Sequence, residues 1–255
     1  FNAIHIDGSW FYLIRDGERV RTFPGQEQVG STKVQHKSHI PNMMFICAVS
    51  RPDPSRDFDG KIGIWRACVI KQAQRNTARR NKGDEYECYV NIDTDWYHSW
   101  YTEIFLPEVK DKMPCLKGAE AIAQQDGASP RTGKGTPRKL NKAGRDGGWN
   151  FKLVTQPSRS PYLNVNDLGL FASLKSRRFG SLEELNTGVK RVHDEYGTDA
   201  LKRGWQSLFT RYNQVLKRGG GDDFEVVHLG IRKRHSEGNL PRYVKTDRDI
   251  YDEAL

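Results

Sequence analysis

The 255-residue chain lacks long apolar runs, closely paired cysteines and an excess of acidic residues. A membrane-spanning helix requires about 20 consecutive apolar residues, and no stretch of the sequence approaches that length. The four cysteines, Cys47, Cys68, Cys88 and Cys115, are widely spaced and include no Cys-x-x-Cys pair. This spacing argues against a structural zinc site and against a disulfide framework. We therefore expect no membrane span, and reduced thiols of the kind found in cytosolic or nuclear proteins.

Acidic residues are outnumbered by basic ones, with 32 Asp and Glu against 41 Lys and Arg, so the net charge is +9. Residues 127–148 alone hold six basic residues, six glycines and a single acid. A strongly basic chain suits a polyanionic partner, most often nucleic acid. On composition alone, a basic surface that serves only solubility stays open as an alternative.

Apolar patterns predict the strands of a mixed sheet. The first residues alternate in polarity, and Gly8-Ser9 is predicted to be the turn of a hairpin whose second strand ends at Ile14. The other predicted strands are residues 42–50, 61–70, a strand that ends at Asp126, 149–156 and a short strand at 224–231. Two polar segments are predicted to be exposed basic loops, residues 71–88 and 127–148.

Helices are predicted at residues 94–112, 181–196 and 199–218, where apolar residues recur at helical spacing. Ser181 and Glu184 form a capping box at the start of the second helix. The order of elements predicts an α/β fold, a mixed sheet flanked by helices. We expect a core at residues 1–180 that includes the basic loop 127–148, C-terminal helices at 181–218 that pack on the core, and a charged tail at 219–255.

Three aspartates lie where the chain topology brings separate elements to one edge of such a sheet. Asp7 is within the leading strand, Asp126 ends a later strand, and Asp167 follows the last core strand in a helical turn that Asn164 can cap. Three carboxylates from separate elements suit Mg²⁺ or Mn²⁺, which prefer oxygen ligands. On spacing alone, the alternative that each aspartate is a cap or turn residue stays open.

The blocks "IHIDGSWFYL", "HKSHIPNMMFICAVSRP", "FDGKIGIW", "QQDGASP" and "PSRSPYLNVNDLGLFASLKS" follow one another along the chain, with "HLGIRKRHSEGNLP" near its end. In their residues and their order, these blocks resemble those of mariner-like transposases of the plant and oomycete type. In that family the first block reads "HIDEKWF" and the fifth reads "PNSPDLNVLDLGFF". The resemblance spans nearly the whole chain, and the ordered set is specific although each block alone is modest.

The resemblance implies an RNase H-like catalytic core that cuts and joins DNA at transposon ends in the nucleus. By motif matching, Asp7, Asp126 and Asp167 are the catalytic and metal-binding triad, which is expected to hold Mg²⁺ or Mn²⁺, as two ions. Homodimers are common in the family, so a homodimer is implied as well. Because the family also carries an N-terminal helix-turn-helix region, and the sequence begins at Phe1, we expect that region to be missing here.

The sequence departs from the family pattern close to the first two aspartates. Gly8 and Ser9 stand in place of Glu-Lys, and Gly127, Ser129 and Arg131 stand where "QQDNARPH" has Asn, Arg and His. Tyr162 also stands in place of the Asp of the "SPD" motif. Changes around metal ligands cost about 10- to 100-fold in metal affinity or activity. A catalytically decayed or domesticated DNA-binding protein therefore stays open, as does a ribonuclease H-type enzyme on the same core.

The basic segment after Asp126 is a candidate DNA contact. Its cations are expected to bind the phosphates that flank the scissile bond, because phosphate contacts supply most of the affinity of proteins for DNA. They are Arg131, Lys134, Arg138, Lys139, Lys142 and Arg145. A solvated insertion without a ligand is the alternative.

Overall fold

The computed structural model describes residues 2–13, 40–133, 135–221 and 236–238. These residues include seven strands, five in one sheet and two in a separate hairpin. The strands are β1 (Ala3–Tyr12), β2 (Asn42–Ser50), β3 (Lys61–Arg66), β4 (Cys68–Gln72), β5 (Glu85–Tyr89), β6 (Glu120–Gln125) and β7 (Asn150–Thr155). The predicted strand at 224–231 lies outside the described residues.

The helices of the described residues are mostly short. They are α1 (Thr94–Ser99), α2 (Leu106–Lys112), α3 (Ser129–Thr132), α4 (Thr136–Ala143), α5 (Leu170–Lys175), α6 (Leu182–Asp194) and α7 (Thr198–Lys217), and the two longest are α6 and α7. A π-helical stretch, Trp100–Phe105, joins α1 to α2, so the predicted helix at 94–112 is confirmed as one continuous helical segment. Among the described helices, none is both long and apolar enough to span a membrane.

The five-stranded sheet has the order β3-β2-β1-β6-β7. The first three strands form an antiparallel meander, and β6 pairs with β1, and β7 with β6, in parallel. A parallel neighbour requires a crossover connection, which the segment from α1 to α2 and the segment with α3 and α4 supply. The mixed α/β sheet that the sequence predicts is confirmed.

Helices cover both faces of this sheet, and alternate residues of β2 show it directly. Ile46 and Ala48 belong to a core formed with α1, α2 and α4, whereas Phe45 and Cys47 belong to a second core with α5, α6 and α7. Because side chains alternate across a strand, the two cores lie on opposite faces. The C-terminal helices thus pack on the sheet itself.

The structure corrects the prediction of a hairpin turn at Gly8-Ser9. β1 runs without interruption from Ala3 to Tyr12, and Gly8 and Ser9 pair with Ile46 and Phe45 of β2. Glycine and serine favour turns, but a continuous ladder with a fully paired neighbour overrides that local preference. Asp7 therefore lies in the middle of the sheet's central strand.

The two segments predicted as basic loops are also partly regular. Within residues 71–88, the hairpin of β4 and β5 continues to Glu85–Tyr89, and the predicted strand at 61–70 divides between β3 and β4. Within 127–148, α3 and α4 form, and Leu140 of α4 is buried. The glycines of this segment flank the helices and do not interrupt them, which composition alone does not reveal.

Candidate active site

The parallel pairing of β1 with β6 brings the first two predicted aspartates together. The register pairs His5 with Gln124, so two residues further along each strand the chain reaches Asp7 and Asp126 at neighbouring positions. Asp126 directly follows the last residue of β6 and accepts a hydrogen bond from the backbone N–H of Ala128 at 3.1 Å. It is thus both the turn residue that ends the strand and a carboxylate beside Asp7.

A group of buried side chains holds Asp167 near Asp7. The amide Nδ2 of Asn164 donates to the carbonyl of Ile6 at 3.1 Å, and the amide Nδ2 of Asn166 donates to the carbonyl of His5 at 3.1 Å. The backbone N–H of Val165 donates to Nδ1 of His5 at 3.2 Å, which requires that nitrogen to be unprotonated. Burial lowers the pKa of His5 to about 3, in agreement with this role.

Asp167 itself ends a 3₁₀ turn, Val165–Asp167, whose cap is Asn164, as the sequence predicts. Asp7 and Asp167 lie close enough for their carboxyl groups to interact, and two such carboxylates repel each other unless a proton or a cation is present. Burial, followed by the carboxylate of Asp167, raises the pKa of Asp7 to about 7, although the nearby guanidinium of Arg131 opposes the shift. Burial also raises the pKa of Asp167, and Lys175 opposes that shift.

Arg131 lies on the other side of Asp7, between it and Asp126. Its Nη1 atom is 2.5 Å from Oδ1 of Asp126 and 3.6 Å from Oδ1 of Asp7. Its side chain is 2% exposed, so the residue predicted to bind DNA phosphates is turned into the protein instead. The reason is local: α3 begins three residues after Asp126, and its third residue, Arg131, faces back toward the carboxylates.

Buried polar contacts fix the position of Arg131. The hydroxyl of Tyr97 donates to Oε1 of Gln125 at 2.6 Å, and Nε2 of Gln125 donates to the carbonyl of Arg131 at 3.0 Å. The guanidinium carbon lies 5.6 Å from the ring centre of Tyr97. Sequence analysis missed Tyr97 and Gln125 as parts of the site, because an aromatic residue in an apolar helix and a glutamine in a strand carry no specific signal.

The carboxylates have the right chemistry for a divalent ion, but their arrangement is not a ready metal centre. Within the described part of the chain, no group of three or more His, Cys, Asp or Glu side chains is placed to hold a metal ion. Asp7 and Asp167 are close enough to interact and offer only oxygen donors, which suits Mg²⁺ or Mn²⁺. The Arg131 guanidinium lies between Asp7 and Asp126 and supplies a positive charge to both carboxylates.

The other cations predicted to contact DNA are arranged differently from Arg131. Those on and just after α4 are solvent-exposed, while the buried Leu140 anchors the helix. They are Arg138, Lys139, Lys142 and Arg145. Lys134 lies outside the described residues. DNA contact by these side chains stays a prediction.

The sheet order, the parallel pair that carries the aspartates and the helices on both faces define an RNase H-like α/β fold. A comparison with solved structures agrees. The chain is similar to a pre-cleavage Mos1 transpososome with a TM-score of 0.61 and to a Mos1 mariner paired-end complex with Mn with a TM-score of 0.60. In both cases the identity is 16%, and the match covers 88% of this chain and 57% of the other.

A Mos1 transposase paired-end complex with the left transposon end matches equally well, with a TM-score of 0.60 and 16% identity over 88% of this chain and 56% of the other. The chain therefore spans a little over half the length of the solved chains it matches. No protein-family model and no curated protein matches the sequence. At this identity the comparison establishes the fold, the one seen in the Mos1 transposase structures.

Proposed function

We propose that this chain is the catalytic core of a mariner-like DNA transposase of the plant and oomycete type, which cleaves and joins DNA strands. The observation that carries the proposal is the meeting of Asp7 with Asp126 on one side and with Asp167 on the other. These residues come from three separate elements of an RNase H-like sheet. The similarity to Mos1 complexes with transposon ends supports DNA as the partner.

Asp7 and Asp167 are the residues best placed to hold a divalent Mg²⁺ or Mn²⁺ ion, while Asp126 pairs with Arg131 beside them. Such an ion, when bound, supplies activation of a water or a 3′-hydroxyl and stabilises the leaving oxygen. Asn164 and Asn166 keep Asp167 against β1, so the carboxylates cannot separate to relieve their repulsion. The exposed cations on and after α4 bind the phosphate backbone beside the second aspartate.

The proposal is tested with the variants Asp7→Asn, Asp126→Asn and Asp167→Asn. Each is expected to abolish Mn²⁺-dependent nicking of duplex DNA and to retain DNA in a gel-shift assay. Asp146→Asn is the matched control, because Asp146 is an exposed acid in the same connection between β6 and β7. Nicking that survives in all three variants would overturn the assignment. Preferential cleavage of an RNA–DNA hybrid would instead indicate a ribonuclease.

A second candidate, a transposase-derived DNA-binding protein without catalytic activity, is favoured by one observation. Arg131 is an internal cation between two of the three proposed ligands. Calorimetric titration with Mn²⁺ separates the candidates, since the absence of saturable binding that depends on the aspartates would favour the inactive protein. Nuclear localisation and a homodimer belong to both proposals.

A further inference from the structure

We propose that the guanidinium of Arg131 takes the place of one divalent ion between Asp7 and Asp126, so that the site binds one metal ion where its three aspartates would otherwise bind two. This inference rests on the proposed function, because it concerns the metal stoichiometry of the same carboxylates. In this proposal, Arg131 neutralises the pair formed by Asp7 and Asp126, and the metal ion neutralises the pair formed by Asp7 and Asp167.

The position of a single nitrogen atom is the first step. Nη1 of Arg131 lies 2.5 Å from Oδ1 of Asp126 and 3.6 Å from Oδ1 of Asp7, so one nitrogen serves both ion pairs. The guanidinium thus already supplies a positive charge between these two oxygens, which is the role that a divalent ion would have there.

The surroundings of Arg131 are built to hold the guanidinium there. A Cβ atom at position 8 would come within 2.6 Å of Nη2 of Arg131, so a residue larger than glycine would collide with it. The Tyr97 ring borders the guanidinium carbon, and Gln125 fixes the backbone carbonyl of Arg131. The arginine is 2% exposed and cannot simply turn into solvent.

Two positions at which the sequence departs from the blocks it resembles, Gly8 and Arg131, are therefore in contact with each other. The missing side chain at position 8 supplies the space that the long side chain at position 131 uses. The two departures act together, and they leave the ligands themselves unchanged.

The pair formed by Asp7 and Asp167 differs, because the cation that acts on Asp167 is Lys175, whereas the ion pairs of Arg131 are with Asp7 and Asp126. Lys175 acts on Asp167 electrostatically, while its ammonium group donates a hydrogen bond to the hydroxyl of Ser9. This side remains an oxygen-only donor pair, and we assign the single divalent ion to it.

The experiment is a titration with Mn²⁺ alone, followed by calorimetry and by electron paramagnetic resonance of free Mn²⁺. Arg131→Gln is expected to bind one more Mn²⁺ per chain than the wild type. Arg138→Gln, which removes an exposed arginine of α4, is the control and is expected to match the wild type. Equal stoichiometry in wild type and Arg131→Gln would overturn the inference.

A second measurement uses variants that keep Arg131, in case its replacement prevents folding. Asp167→Asn is expected to weaken Mn²⁺ binding at least tenfold, whereas Asp126→Asn is expected to change it less than twofold, because Arg131 already occupies that side. Equal losses in the two variants would contradict the inference.

The outcomes also separate this inference from the proposed function. Two ions in both wild type and Arg131→Gln would overturn the role of Arg131 and leave metal-dependent catalysis intact. No ion in the wild type would overturn both the inference and metal-dependent catalysis by the native chain.

Discussion

Asp7 has two unlike neighbours, and the contrast between them explains most of what is particular to this site. Toward Asp126, a buried guanidinium supplies a fixed positive charge. Toward Asp167, two carboxyl groups interact, and their repulsion is relieved by a proton or by a cation from outside. One side is therefore complete within the folded chain, whereas the other depends on pH and on ions. Variants on the two sides should behave differently.

The largest effect is expected on the Arg131 side. Arg131→Met keeps the volume but leaves Asp7 and Asp126 facing each other, and removal of one partner of a buried ion pair costs about 3–5 kcal/mol. Because Asp126 is one-third exposed, we expect a loss near the lower limit, about 3 kcal/mol. The measurement is urea unfolding at pH 8 with a chelator. Arg138→Met should lose less than about 0.5 kcal/mol, and a loss of the same size in both variants would contradict a buried ion pair.

The pair formed by Asp7 and Asp167 should make the free energy of unfolding depend on pH. The pKa of Asp7 is about 7 in the folded chain, against about 3.9 in an unfolded chain. Between these values the folded state holds more protons than the unfolded state, so the free energy of unfolding falls as pH rises from 4 to 7. Because Asp7 and Asp167 titrate as a pair, we expect Asp7 to contribute about 2 kcal/mol to this fall in the free energy of unfolding.

Asp7→Asn should remove that part of the pH dependence. The free energy of unfolding is measured with urea in metal-free buffer at pH 4.5 and pH 8. Between these two pH values, the stability of Asp7→Asn is expected to increase relative to that of the wild type. A parallel pH dependence in the two proteins would show that Asp7 ionises normally and that the contrast between its two sides is wrong.

Sequence patterns predict much of this fold because many of its signals are local. The side chain of Ser181 accepts a hydrogen bond from the N–H group of Glu184, as the predicted capping box requires. The strand at 42–50 and the strand that ends at Asp126 also agree with the structure. These features depend on neighbours within a few residues, so a single sequence carries them.

The features that sequence reasoning got wrong depend on distant partners. Gly8 has the local character of a turn residue, yet β2 holds it in a strand and Arg131 occupies the space beside it. Arg131 has the local character of a phosphate-binding cation, yet carboxylates from β1 and the end of β6 draw it inward. The resemblance predicts which three aspartates belong to the site, but it does not predict that Arg131 lies between two of them.

A smaller loss of stability is expected at Gly8 of β1, which borders Arg131. Gly8→Ala introduces a Cβ atom 2.6 Å from Nη2 of Arg131 and 3.1 Å from Cε of Met44. Overpacking of this kind costs about 1–3 kcal/mol, and the flexible end of a side chain can yield, so we expect a loss of about 1 kcal/mol.

The cause of that loss can be isolated with a double-mutant cycle. In the background of Arg131→Gln, whose shorter side chain leaves room, Gly8→Ala should cost about 1 kcal/mol less than in the wild type. Gly127→Ala is the control, because its added Cβ would only touch Thr155 at an ordinary 3.8 Å. Additive effects of Gly8→Ala and Arg131→Gln would mean that the glycine does not serve the guanidinium.

The smallest effect concerns the one cation near the Asp167 side. Lys175 lowers the pKa of Asp167 through its charge, although burial dominates and raises it. Lys175→Met removes the charge and keeps an apolar stem beside Phe11 and Phe171, above which the ammonium group lies 5.6 Å from each ring centre. We therefore expect the pKa of Asp167 to rise, with a change in stability below about 1 kcal/mol.

Carbon-13 NMR of the aspartate carboxyl groups as a function of pH measures this change directly. Lys152→Met, which removes an exposed lysine of β7, is the control and should leave the titration of Asp167 unchanged. If Lys175→Met also leaves it unchanged, Lys175 does not reach the carboxyl pair. The charge of Asp167 would then be neutralised by a proton or by an external ion rather than by Lys175.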